Sequence, residues 1–174
     1  MNEAEVQKIT ISEYRVAWPQ QFLLVSEELK AIGTLRGAVI EHIGSTSVPG
    51  LCAKPVLDIA LGVRDMAQAE YAIYALADAD FVYRREYERV LPERRYFVRP
   101  ECKVPRVHLH AVLLGGDLWQ RHLYFRDRLR GDSLLREEYA RLKRDLSRLH
   151  EENKCSYTEA KAPFIQRVLA SRER

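Results

Sequence analysis

The stretch AVIEHIGSTSVPGLCAKPVLDIALGV, residues 38–63, decides how the chain folds. Ala38 to Ile43 is rich in β-formers and runs straight into a loop of small residues, Gly44-Ser45-Thr46-Ser47-Val48-Pro49-Gly50. Val56 to Val63 is apolar apart from Asp58, the composition of a central strand covered on both faces. Small hydroxyl residues after a strand offer backbone N–H and O–H donors to phosphate oxygens, and Lys54 adds a cation four residues before Asp58. The loop is not a Walker loop, because Leu51 follows Gly50 where that motif needs Lys and Ser/Thr. A tight turn between strands is the competing account of the same residues. Burying Asp58 costs several kcal/mol unless it is paired, hydrogen-bonded or metal-bound. It is therefore either a functional carboxylate or one neutralised by Lys54 or by an arginine of the 84–106 region.

Outward from this stretch, the spacing of Asp65 and Gln68 is that of a capping box and predicts a helix through Ala77, with Met66, Ala69, Ile73 and Leu76 on one face. Phe81–Tyr83 and Tyr96–Val98 are short strand candidates, and Val107–Leu114 is a longer one closed by Gly115-Gly116. Residues two apart on a strand share a face, so His108 and His110 project one way while Val107, Leu109 and Ala111 project the other. Such a pair can bind a metal, act as acid and base, or contact phosphate. With Asp58 on an adjacent strand it forms a 2-His-1-carboxylate set.

Towards the N-terminus, Ile9 and Ile11 mark an extended arm, and Pro19 suits the first turn of a helix carrying Phe22, Leu23, Val25 and Leu29. Beyond Gly116 the pattern is helical. Leu118–Leu129 is one helix, and Leu135, Tyr139, Leu142, Leu146 and Leu149 line the face of a second. Ser156 with Glu159 predicts the cap of a last helix bearing Phe164, Ile165, Val168 and Leu169. The expected fold class is α+β (α/β), in one domain over 1–174 with an α/β core over 1–116 and helices over 117–174 packed on it.

The composition agrees: 174 residues with 47 % hydrophobic and 30 % charged side chains suit one globular domain. A net charge of +3 is no argument for nucleic acid, which is not expected as a partner. No apolar run approaches the roughly 20 residues of a membrane span, and the opening MNEAEVQK lacks a signal-peptide core. Cys52, Cys102 and Cys155 form no CxxC pair, so neither a zinc knuckle nor a disulfide framework is indicated, and a reducing cytoplasmic setting is expected.

The run Glu41-His42-Ile43-Gly44-Ser45-Thr46-Ser47-Val48-Pro49-Gly50-Leu51, then Lys54-Pro55 and Asp58-Ile59, resembles the signature of the GrpB family. Arg94-Arg95-Tyr96-Phe97, His108-Leu109-His110, the stretch from His122 to Arg130, and Tyr157 to Lys161 with Phe164-Ile165 have counterparts in the same order, covering Tyr14 to Leu169. The resemblance implies a nucleotidyltransferase-like mixed β-sheet core flanked by helices. That superfamily's pattern is Gly-Gly/Ser, then Asp-x-Asp/Glu, then an acid on a later strand. Gly44-Ser45 and Asp58 match it, whereas Ala60 stands at the second acid and His108 and His110 stand where the later acid is expected. Two-metal phosphoryl transfer needs carboxylates to hold both Mg²⁺ ions, and Asp58 is the one this pattern supplies, with Glu41 a further candidate. GrpB-like domains also occur fused to dephospho-CoA kinase, which implies nucleotide or coenzyme chemistry.

The expected site follows. Asp58, His108 and His110 are the catalytic and metal-binding candidates, for Mg²⁺ or Mn²⁺ or, alternatively, a transition metal. Gly44, Ser45, Thr46, Ser47, Lys54, Arg95, Arg126, Tyr157 and Lys161 are the candidates for binding a nucleotide or phosphorylated small molecule. Tyr157 and Lys161, one helical turn apart, can face one cleft. Three functions fit: phosphoryl or nucleotidyl transfer, a non-catalytic nucleotide or coenzyme-binding module, and a metal-dependent phosphate-ester hydrolase. Residues 84–106 hold eight Lys/Arg against four Asp/Glu, and the rest of the chain twenty against twenty-one, so an anion site is expected in that hairpin region.

Overall fold

The computed structural model describes residues 8–100 and 105–173. Five strands form one mixed sheet: β1 (Val39–Ile43), β2 (Leu57–Val63), β3 (Val82–Tyr83), β4 (Arg94–Arg99) and β5 (Val107–Leu113). Their order is β1-β2-β5-β4-β3, with β2 and β5 parallel and every other pair antiparallel. The apolar run that predicted a central strand is β2, flanked on both sides, and its long crossover to β5 is what places it beside the histidine strand. The N-terminal arm adds an isolated antiparallel bridge between Ser12 and Ala53.

One face of the sheet carries the main core. Leu57, Ile59 and Leu61 of β2, Leu109 and Ala111 of β5 and Phe97 of β4 pack against helices α1 (Ala17–Lys30), α2 (Met66–Tyr71) and α3 (Ile73–Asp78). Pro19 lies in the first turn of α1 as expected. Asp65 caps α2 by accepting from the Gln68 N–H at 2.8 Å, and the Gln68 side chain reaches back to the Arg64 N–H. The expected helix through Ala77 is broken at Ala72, whose ψ of −7° departs from the helical value of about −42°.

The opposite face is divided. At one end Ile43, Ala60 and Val112 are covered by Trp119 of helix α4 (Asp117–Gly131). Gly62 permits this contact, since a Cβ there would stand 2.7 Å from Trp119 Cζ3. At the other end α4 leaves the sheet uncovered over Asp58 and His108. Helices α5 (Ser133–Leu149) and α7 (Ala162–Ala170), joined in sequence through α6 (Lys154–Ala160), form with Leu129 of α4 a second apolar cluster around the loop residues Val48, Leu51 and Cys52, which are wholly buried. Asp132 caps α5 through the Leu135 N–H. The expected capping box at Ser156 does not form; Asn153 is the cap of α6 and accepts from the Ser156 N–H at 3.0 Å. The last helix is also two helices, because Pro163 has no N–H to continue α6 and instead occupies the first turn of α7.

Candidate active site

Register brings the predicted triad together. Asp58 pairs with His108 and Ala60 with His110 across the parallel β2–β5 ladder, and Tyr96 of β4 pairs with His110. Asp58, His108, His110, Tyr96 and Arg94 therefore share one face of three adjacent strands. Asp58 Oδ1 lies 3.3 Å from His108 Nδ1 and 3.6 Å from His110 Nε2. Its other oxygen rests against Gly44, where a Cβ would stand 2.4 Å from Oδ2, and Gly44 also has φ of +69°. Glycine is needed there on both counts.

The tautomer of His110 can be read from its partners. Arg94 Nη1 lies 3.3 Å from His110 Nδ1, and arginine only donates, so Nδ1 accepts and the proton of the neutral ring sits on Nε2, facing Asp58. Burial lowers the His110 pKa and outweighs the opposing attraction of Asp58. For Asp58, burial favours the neutral acid, but the two imidazoles outweigh it and hold the carboxyl far below the usual carboxylate range. With Nδ1 turned to this ionised carboxylate, His108 keeps Nε2 without a hydrogen bond among the described residues.

The carboxylate stands at the floor of a cleft of about 640 Å³ whose walls come from the 45–56 loop, β4, β5, α5 and α6. Asp58 is the one acid among the described lining residues, against five cations: Lys54, Arg94, Lys143, Lys154 and Lys161. The ammonium groups of Lys54 and Lys161 lie 4.3 and 4.4 Å from the centroid of the Tyr157 ring. Lys143, 2 % exposed, donates to the Cys52 carbonyl. Burial, with repulsion from Lys161 and Lys154, lowers the Lys54 pKa to about 8. Burial, reinforced by Lys161, lowers that of Lys143 to about 7. Lys161 and Lys154 are lowered too, chiefly by burial. Arg94 Nε is buried without an acceptor among the described residues. Crowded, half-desolvated cations of this kind are a cradle for an anion.

Of the other predicted residues, Ser45, Thr46, Lys54, Tyr157 and Lys161 line the cleft. The Thr46 and Ser47 hydroxyls are spent within the loop: Thr46 Oγ1 donates to the Val56 carbonyl and accepts from His42 Nε2, and Ser47 Oγ donates to the Gly44 carbonyl at 2.6 Å. Ser45 brings the remaining hydroxyl of that loop to the cleft. Arg95 is not in the site. It alternates to the opposite face of β4, where it pairs with Glu70 at 2.7 Å and faces Glu88. Arg126 is a buried clamp behind β1, bound to Glu41 at 2.6 Å, to Asp127, and to the His42 carbonyl. Glu41, so engaged, is no second catalytic acid.

The expectation of an anion site in the 84–106 hairpin needs the same correction. Arg84 pairs with Glu86, Arg95 with Glu70 and Arg99 with Glu28, leaving Arg94 as that segment's contribution to the cleft. Cys102 and Lys103 lie outside the described residues. The positive charge comes mainly from the β1–β2 loop and the helical section. Arg94, Lys143 and Lys154 were missed in the sequence, and one signal was available for the first: Arg94 and Tyr96, two apart, must share a face.

The residues do not fit a two-magnesium centre. Ala60 is wholly buried under Trp119, so no second carboxylate faces Asp58 there. Among the described residues no three His, Cys, Asp or Glu side chains are arranged to hold a metal ion.

A family model described as "GrpB protein" matches residues 8–171. The "UPF0157 protein BH1888" of Halalkalibacterium halodurans is 35 % identical over 92 % of this chain and 80 % of its own. The crystal structure of conserved protein GrpB from Enterococcus faecalis superposes with a TM-score of 0.81 at 30 % identity, over 93 % of this chain and 96 % of that one. A dephospho-CoA kinase of Mycolicibacterium paratuberculosis is 27 % identical over 86 % of this chain and 42 % of its own. No helix among the described residues is long and apolar enough to cross a membrane.

Proposed function

The chain belongs to the GrpB family, and from that premise we propose that its Asp58 cleft binds a nucleotide or phosphorylated small molecule and carries out phosphoryl or nucleotidyl transfer by acid–base catalysis. The observation that carries the reading is the gathering of five cations around one ionised carboxylate and its two imidazoles. The likeness of the chain to part of a dephospho-CoA kinase supports the nucleotide class of ligand.

The division of labour follows from the partners of each side chain. Lys54, Lys143, Lys154 and Lys161 neutralise the phosphate oxygens and the charge that develops on them in the transition state. Asp58 holds the Nδ1–H of His108, which leaves Nε2 to accept the proton of an attacking hydroxyl or water. As that oxygen forms its bond to phosphorus, the bond to the leaving oxygen breaks. The leaving oxygen carries off the electron pair and takes the proton back from His108. His110 stays neutral and, pinned by Arg94, orients Asp58.

Calorimetric titration with ATP, with and without Mg²⁺ or Mn²⁺, tests the reading alongside a turnover assay on the bound nucleotide. Asp58→Asn is expected to keep the fold and the binding and to lower turnover by about 100-fold or more. Binding with no turnover in the wild type would favour the non-catalytic module, to which the loss of the second acid at Ala60 already inclines. Failure of every nucleotide to bind would refute the proposal.

A further inference from the structure

We propose that a hollow beside the Asp58 cleft holds the acceptor of the reaction, an alcohol with an apolar body, so that the transferred group passes to an organic hydroxyl and not to water; this rests on the transfer reading above and names its second substrate. The hollow has a volume of about 510 Å³, within the range of roughly 300–1,000 Å³ of small-molecule sites, and is unused by the mechanism just described. It meets the cleft along Lys54, Val56, His108 and Lys154, which line both.

His108 is the proton acceptor at this junction. Asp58, 3.3 Å from His108 Nδ1, lines the cleft but not the hollow, which leaves the opposite edge of the ring, with Nε2, to the hollow. Displacement at phosphorus runs in line, so the attacking oxygen enters on the side opposite the leaving oxygen. With the donor's phosphates among Arg94, Lys143 and Lys161, none of which lines the hollow, attack comes from the hollow side of His108. There the alcohol gives its proton to Nε2 as its oxygen bonds to phosphorus. The leaving oxygen departs with the electron pair and takes up that proton, as above.

The lining decides the chemistry of the acceptor. Ile9, Ala17, Trp18, Pro55 and Pro105 form an apolar wall, with Thr10 and Gln21 as the neutral polar side chains beside it. The cations at its edge are already engaged or solvated. Lys54 and Lys154 also face the cleft, Lys8 pairs with Glu151 at 3.1 Å, Arg106 interacts within the chain, and Arg15 is exposed. The hollow therefore calls for no further anionic group, and an uncharged body laid against the apolar wall fits it.

Turnover of ATP in the presence of 2-phenylethanol tests this, with ethanol as the alcohol that lacks the apolar body. Phosphorus NMR identifies the products, and calorimetry reads the affinity for ATP. The wild type is expected to form the phosphoryl or nucleotidyl ester of 2-phenylethanol, with a KM about tenfold or more below that for ethanol, the worth of burying a phenyl ring. Ala17→Phe, at an exposed position of the wall where α1 begins, is expected to raise the KM for 2-phenylethanol about tenfold or more. Its affinity for ATP is expected to stay that of the wild type, because Ala17 does not line the cleft. Release of inorganic phosphate with no ester, equal use of the two alcohols, or a KM unmoved by Ala17→Phe would overturn the acceptor site while leaving the reaction of the cleft with ATP in place. ATP that fails to bind, or binds without turnover, would overturn the transfer reading and this proposal with it.

Discussion

At the scale of single residues, three positions control the carboxylate. Gly44 supports Asp58 from below, and Gly44→Ala imposes both a left-handed backbone strain and a collision with Asp58 Oδ2. It is expected to destabilise the protein by about 1–3 kcal/mol, as read by urea unfolding, and to lower turnover further by displacing the carboxylate. His110 and His108 differ in role although they look alike in sequence: Arg94 consumes the lone pair of the first, and nothing in the described chain consumes that of the second. His108→Gln is therefore expected to lower turnover by about 100-fold or more in a steady-state assay, and His110→Gln by a smaller factor. His42 is a separate case. Burial beside Phe22 lowers its pKa to about 4, so the unfolded chain binds more protons than the native one between that value and the ordinary 6.5. Its contribution to stability is complete above pH 6.5 and is lost as the pH falls towards 4, which melting curves over that range can follow.

At the scale of elements, the loop after β1 is held from outside as well as by its own hydrogen bonds. Arg126 of α4 donates to the His42 carbonyl and Arg130 donates twice to the Ser47 carbonyl, while Val48, Leu51 and Cys52 plug into the helical cluster. Arg126→Met leaves Glu41 half-buried without its partner and frees the loop. It is expected to cost about 2–3 kcal/mol of stability and to weaken ligand binding together with turnover, as measured on the folded fraction. The sequence showed β2, the same-face histidines and the helical second part, because apolar runs, a spacing of two and a spacing of three and four are local signals. What it concealed was tertiary. Choosing Arg95 over Arg94 is a choice of strand face, which the register with β5 decides. The clamp role of Arg126 depends on α4 crossing behind β1, and the gathering of Lys143 with Lys154 depends on how α5 and α6 close over the sheet.

At the scale of the whole molecule, the cleft is an electrostatic compromise between folding and binding. Lys54 and Lys143, with pKa values lowered to about 8 and about 7, lose protons in the native state well before they do in the unfolded chain, whose lysines titrate near 10.4. Between those limits the unfolded chain binds more protons, so this pair makes the free protein more stable as the pH rises from 7 to 9. An anion in the cleft favours the charged lysines and reverses the trend, so binding is accompanied by proton uptake and weakens over the same interval. The measurement that tests this account most directly is the melting temperature against the concentration of a nucleoside phosphate, for the wild type and for Lys54→Gln/Lys161→Gln. The account predicts a rise with the logarithm of ligand concentration at pH 7 in the wild type, smaller at pH 9 and lost in the double variant. A wild-type protein that melts at one temperature throughout, or a double variant that responds as the wild type does, would contradict it.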